Sequence, residues 1–149
     1  KNSLGAAVQT VESIQAAAAK AGVSANILFL GVITDPTELA TAYEAADVHV
    51  FPVRHIPDDP EGFGMVAIEA AAHGLPTVAF ATGGVVDAVA EGQSGHLAQA
   101  DNYQAFSCAL ATALSTERLT WRAKSLRFVE PFAWPAFGER LAAQIAPNK

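Results

Sequence analysis

Glu61 and Glu69 are the residues of this 149-residue chain whose type and spacing point most directly to chemistry. They bracket Gly62-Phe63-Gly64, one acid on a polar, Pro-punctuated loop (Asp58-Asp59-Pro60-Glu61) and the other inside the Ala-rich run Met65 to Ala72. Without side chains, Gly62 and Gly64 allow a tight turn and a close approach to backbone N–H groups. The first N–H groups of the helix that follows have no intrahelical partner, and its dipole favours an anion there. A phosphate or diphosphate suits that end. Both acids repel phosphate, so they make sense only if the ligand also carries hydroxyls. A carboxylate at Glu69 can accept paired hydrogen bonds from a vicinal diol such as a ribose. A sugar joined to a nucleotide through a diphosphate has all three parts.

The elements that would position these groups are legible in the surrounding pattern. Residues 4–21 carry Leu4, Val8, Val11, Ile14 and Ala18 on one helical face, with Gly22 as the stop. Residues 27–30 read as a buried strand ended by Gly31. Asp35-Pro36-Thr37-Glu38 reads as a helix start with Asp35 as N-cap, running to about Ala46. Strands are expected at residues 48–51, 77–80 and 96–98, with helices at 65–73, 85–90, 102–114 and 116–128. Thr82-Gly83-Gly84 is a second glycine turn leading from a strand into a helix. Strands alternating with helices predict an α/β fold, a Rossmann-like parallel sheet flanked by helices. In such sheets ligands bind beyond the carboxyl ends of the strands, where these turns gather.

The segment Glu-Gly-Phe-Gly-Met-Val-Ala-Ile-Glu-Ala from Glu61 to Ala70 resembles the two-glutamate signature of the group 1 (family 4) glycosyltransferases. Residues 46–52 before it, residues 74–79 after it and Thr82-Gly83-Gly84 agree in order, and the resemblance covers roughly residues 26–115. It implies the donor-binding, C-terminal half of an enzyme with two Rossmann-like domains (GT-B), retaining the anomeric configuration. On that reading Glu61 is the catalytic-site acid that contacts hydroxyls of the transferred sugar, and Glu69 holds the ribose. Backbone N–H groups of Phe63, Gly64 and Met65 meet the sugar and diphosphate together with Thr82, Gly83 and Gly84. The base sits by Gly31, Val32 and Ile33. No cofactor and no metal are expected.

The family also places an Arg and a Lys upstream to neutralise the donor diphosphate. Here only Lys1 and Lys20 precede Arg54. The chain is therefore expected to be one domain, residues 1–149, truncated at its N-terminus and lacking the acceptor-binding domain. Residues 132–149 would be either a return helix toward that domain or a helix lying on its own sheet. Each absent charge-assisted hydrogen bond is worth about 1.5–3 kcal/mol, so the isolated segment should bind donor weakly and turn over little. The alternative is a nucleotide-binding module with no transfer chemistry, which would keep the ribose site and have no need of Glu61.

Against these stand plainer expectations. For Glu69 the plain alternative is a surface helix acid; its apolar and small neighbours instead predict a buried acid that needs a partner, the ligand, and that is aimed at the Thr82-Gly83-Gly84 bend. Asp58-Asp59 reads as a solvated loop rather than a metal site, since adjacent acids diverge. His73 reads as a helix cap, His96 as packing, Phe63 as packing beneath its loop and Cys108 as buried filler. Arg54, beside His55, is either a phosphate contact or a surface charge. The net charge of −6 argues against a general nucleic-acid binder. A single cysteine permits no intrachain disulfide. No membrane span or signal peptide is evident, and the expected location is the cytoplasm; membrane association of the longer enzyme stays open.

Overall fold

The computed structural model describes residues 10–54 and 62–145. The chain divides into two compact units, Lys1–Pro36 and Thr37–Lys149.

In the first unit, helix α1 (Val11–Ala21) opens on a capping box in which Thr10 and Ser13 satisfy each other's backbone N–H groups. Gly22 closes it in the left-handed conformation, φ 71°, with its neighbour Val23 donating back to Ala18. The strand expected at residues 27–30 is not formed, and Leu28 is 81% exposed. An apolar run becomes a strand only when a neighbour takes its N–H and C=O groups, and among the described residues no strand pairs with it.

Helix α2 (Pro36–Ala45) has proline at its first helical position as expected, and from Thr37 on it belongs to the second unit. Then come β1 (His49–Phe51), α3 (Met65–Ala72), β2 (Thr77–Phe80), α4 (Val85–Ala88) and β3 (Gly95–Ala98). Helices α5 (Tyr103–Ser115), α6 (Arg118–Val129) and α7 (Trp134–Ile145) complete it. The sheet order is β1-β2-β3 and both pairings are parallel, with Val50 opposite Val78 and Val78 opposite His96. Parallel neighbours need a crossover, and α3 and α4 supply the two.

All four residues of β2 are buried, as a central parallel strand requires. Alternation sends them to two cores. Ala79 faces Ala67 and Ile68 of α3 and Val85 and Ala88 of α4. Val78 and Phe80 face Phe106 and Ala113 of α5 and Trp121 of α6. Trp121 donates its indole N–H to the Ala113 carbonyl at 2.9 Å, which satisfies the polar end of a ring buried to 3% exposure. Cys108 is exposed rather than buried, because the inward face of α5 is set by Phe106 and Ala113 and Cys108 lies opposite.

Candidate functional site

The two glycine turns lie against each other. Gly64 is the N-cap of α3 with φ 78°, and a Cβ there would sit 3.2 Å from the Phe51 ring. A Cβ on Gly84, the N-cap of α4, would overlap the carbonyl oxygen of Gly62. Neither helix has a side-chain cap at its start. The exit of β1 and the exit of β2 are tied by the Thr82 hydroxyl, which donates to the Val53 carbonyl at 3.4 Å. Thr82 is buried and held by that bond, so what the second bend offers a ligand is the backbone of Gly83 and Gly84. Phe63 is half-buried and its ring packs on Phe132 at 5.9 Å, as expected of it. A mostly apolar hollow of about 270 Å³ lies beside this turn, between Phe63, Met65 and Ile68 and the ring of Trp134.

Glu69 departs from its expected placement. It is exposed, not buried. Helix α3 buries Ala67, Ile68, Ala70 and Ala71, and the first two share a core with α4. At 100° per residue Glu69 falls at the middle of the opposite face, with Met65, Val66 and Ala72. It is therefore turned from α4 toward α2, where its Oε2 accepts from the Tyr43 hydroxyl at 3.3 Å. An apolar neighbourhood in sequence meant one buried face, not two.

Tyr43 was not legible as a site residue, since 26 positions separate it from Glu69. Its ring stacks on His73 with centroids 5.2 Å apart and planes 9° apart, and meets His49 edge-on. Burial, with Glu69 beside it, raises the Tyr43 pKa and keeps the hydroxyl a donor. His73 closes α3 as its C-cap, as expected, and its Nδ1 lies 3.8 Å from Glu44. His49 is held below its ordinary pKa by burial and lies 3.1 Å from the Thr77 hydroxyl. His96 does pack, its ring edge-on to Trp121, and it also bonds Glu91 at 2.5 Å.

Glu61, Asp58, Asp59 and His55 lie outside the described residues. Gly31, Val32 and Ile33 belong to the first unit, where Gly31 adopts φ 72° and Val32 is 90% exposed. Among the described residues no group of three or more His, Cys, Asp or Glu is placed to hold a metal ion. No described helix is long and apolar enough to cross a membrane.

A parallel sheet with glycine turns at its strand exits and helices on both faces defines a Rossmann-like α/β fold. The structure superimposes on WaaG, a glycosyltransferase involved in lipopolysaccharide biosynthesis, with a TM-score of 0.70 at 24% identity, over 93% of this chain and 36% of that one. It also matches the C-terminal domain of a group 1 family glycosyltransferase (LpcC) from Francisella tularensis, with a TM-score of 0.64 at 24% identity, over 79% of this chain and 59% of that one. The sequence profile of the family described as "Glycosyl transferases group 1" matches residues 7–127. The chain belongs to that family. Among curated proteins it is 34% identical over 136 residues to a D-inositol 3-phosphate glycosyltransferase of Corynebacterium glutamicum, covering 90% of this chain and 31% of the relative. A protein of the same name in Corynebacterium urealyticum is 38% identical over 113 residues, 76% of this chain and 25% of the relative. The chain thus spans a third or less of the length of these relatives.

Proposed function

We propose that this chain is the donor-binding part of a retaining glycosyltransferase that moves a hexose from a nucleoside diphosphate to an acceptor. The observation that carries the reading is the packing of the Gly62–Gly64 turn against Gly84, which sets two uncapped helix starts side by side. In this reading the diphosphate meets backbone N–H groups at Phe63, Gly64 and Met65 and at Gly83 and Gly84. Glu69 accepts from the ribose hydroxyls. The buried placement that its neighbours suggest for this role is not found; the carboxylate is exposed and faces α2, away from α4, where a diol can still reach it. Five residues at about 1.5 Å rise put Glu69 roughly 7.5 Å along the helix from Gly64, a span that suits a ribose joined to a diphosphate at the helix mouth.

In the transfer, the bond from the sugar's anomeric carbon to the diphosphate oxygen breaks, the acceptor hydroxyl oxygen takes the sugar, and its proton passes to the leaving diphosphate. Charge then grows on the leaving diphosphate, where helix dipoles and fixed N–H groups stabilise it. Glu61 keeps the role the resemblance gives it, at the hydroxyls of the transferred sugar. Retention likewise rests on the resemblance, and so does the expectation of a metal-independent reaction.

The test is a titration of wild type, Glu61→Gln and Glu69→Gln with UDP, GDP and ADP and with their hexose-bearing forms. The reading expects one base to bind at millimolar concentration or better. Glu69→Gln should weaken both forms, whereas Glu61→Gln should weaken the sugar-bearing form alone. If Glu61→Gln leaves the sugar-bearing form untouched, the transferase reading gives way to a nucleotide-binding module. If no nucleotide binds, both are lost.

A further inference from the structure

We infer that Tyr43 is a positioning residue that fixes the Glu69 carboxylate for the ribose hydroxyls, an inference that rests on the donor-binding reading. A glutamate on an exposed helix face has several rotamers open to it, and ordering it on binding costs entropy. Tyr43 removes part of that cost before any ligand arrives. Its hydroxyl donates to Oε2 of Glu69 and leaves Oε1 and the remaining lone pairs to accept from a diol.

The tyrosine is itself held. Its ring lies flat on His73, which stands four residues after Glu69 on the same side of α3 and closes that helix. The edge of His49 from β1 bounds it on another side. Helix α2, which carries it, is tied to α6 by the Arg118 guanidinium, which donates to the Glu44 carbonyl. Tyr43 therefore touches α3 at two points, with its ring at His73 and its hydroxyl at Glu69. A ring kept for packing alone would need only the first.

Tyr43→Phe separates the two, because it retains the stack and removes only the donor. Binding is measured by calorimetry or NMR titration with the nucleoside diphosphate that wild type prefers, with its 2′,3′-dideoxy form, and with pyrophosphate. Tyr43→Phe should weaken the ribose-bearing ligand about 3- to 10-fold, as expected for one hydrogen bond. Dideoxy nucleotide and pyrophosphate should be unaffected. In a Glu69→Ala background the same change should have no further effect, because the partner it acts through is gone. Equal weakening of pyrophosphate, or an undiminished effect beside Glu69→Ala, would show a structural role and overturn the inference. A fall in the thermal midpoint of Tyr43→Phe is controlled by His73→Ala, which disturbs the stack and keeps the donor. Should His73→Ala weaken ribose-dependent binding while Tyr43→Phe leaves it intact, the ring and not the hydroxyl is the cause and the inference fails. If Glu69→Gln weakens binding and Tyr43→Phe does not, this inference alone falls. If wild type takes no nucleoside diphosphate, the donor-binding reading falls and takes this one with it.

Discussion

The carbonyl oxygen of Gly62 lies where a side chain on Gly84 would begin. These residues are 22 positions apart and belong to different βα turns, so their contact brings the two loops together. Gly84→Ala must push the Gly62 carbonyl aside. The expected cost is about 1–3 kcal/mol, the usual range for forcing atoms into a packed place. A Cβ on Gly138 meets nothing within 4 Å, and Gly138 lies inside α7. Gly138→Ala should therefore be neutral or stabilise by roughly 0.5–1 kcal/mol. Urea unfolding of both variants checks the contrast, and nucleotide binding should be lost in the first only.

Ser125 is completely buried on α6 and its hydroxyl has no hydrogen-bond partner among the described residues. A buried polar atom left unpaired costs free energy that an apolar group of similar shape does not. Ser125→Ala is expected to stabilise the chain by about 1 kcal/mol, read as a thermal midpoint raised by a few degrees. A lower midpoint would mean that the hydroxyl does have a partner in solution.

The parts of the fold that local pattern could reach were reached. Gly22, Pro36, Asn102 and the three parallel strands act through immediate neighbours or strict alternation, and they stand where the pattern puts them. Residues 27–30 have the composition of a strand, but strand formation is decided by a partner that composition does not name. Glu69 fails for a related reason. Alanine is small enough to tolerate either side of a helix, so a run of Ala around an acid does not say which face is covered. Tyr43 could be found only from its side-chain contacts with Glu69 and His73, and no spacing in the chain encodes those.

His49 makes the stability of this chain depend on pH. Burial lowers its pKa from the ordinary 6.5, so the unfolded chain takes up a proton that the folded chain resists. Stability contributed by neutral His49 is thus present above 6.5 and is lost as the pH falls toward the depressed folded value. His49→Gln should flatten this part of the acid limb. Thermal midpoints of both proteins from about pH 8 to about pH 5 measure it. An unchanged slope would show that His49 is not the group responsible.

Removing the indole donor of Trp121 should be felt at once. Trp121→Phe leaves the Ala113 carbonyl without this partner and a void beside Phe106. The expected loss is roughly 2–4 kcal/mol from the hydrogen bond and the cavity together, seen as a lower denaturant midpoint. Donor binding should persist wherever the variant is still folded, because Trp121 lies on the other side of the sheet from α3 and α4.

The proposed donor site is tested most directly by amide chemical shifts during titration with nucleoside diphosphates at millimolar concentration. The account predicts the largest changes at Phe63, Gly64, Met65, Gly83 and Gly84, with Glu69 and Tyr43 following only when the ligand carries its ribose hydroxyls. Saturable changes that cluster elsewhere and leave the two glycine turns unmoved would contradict it.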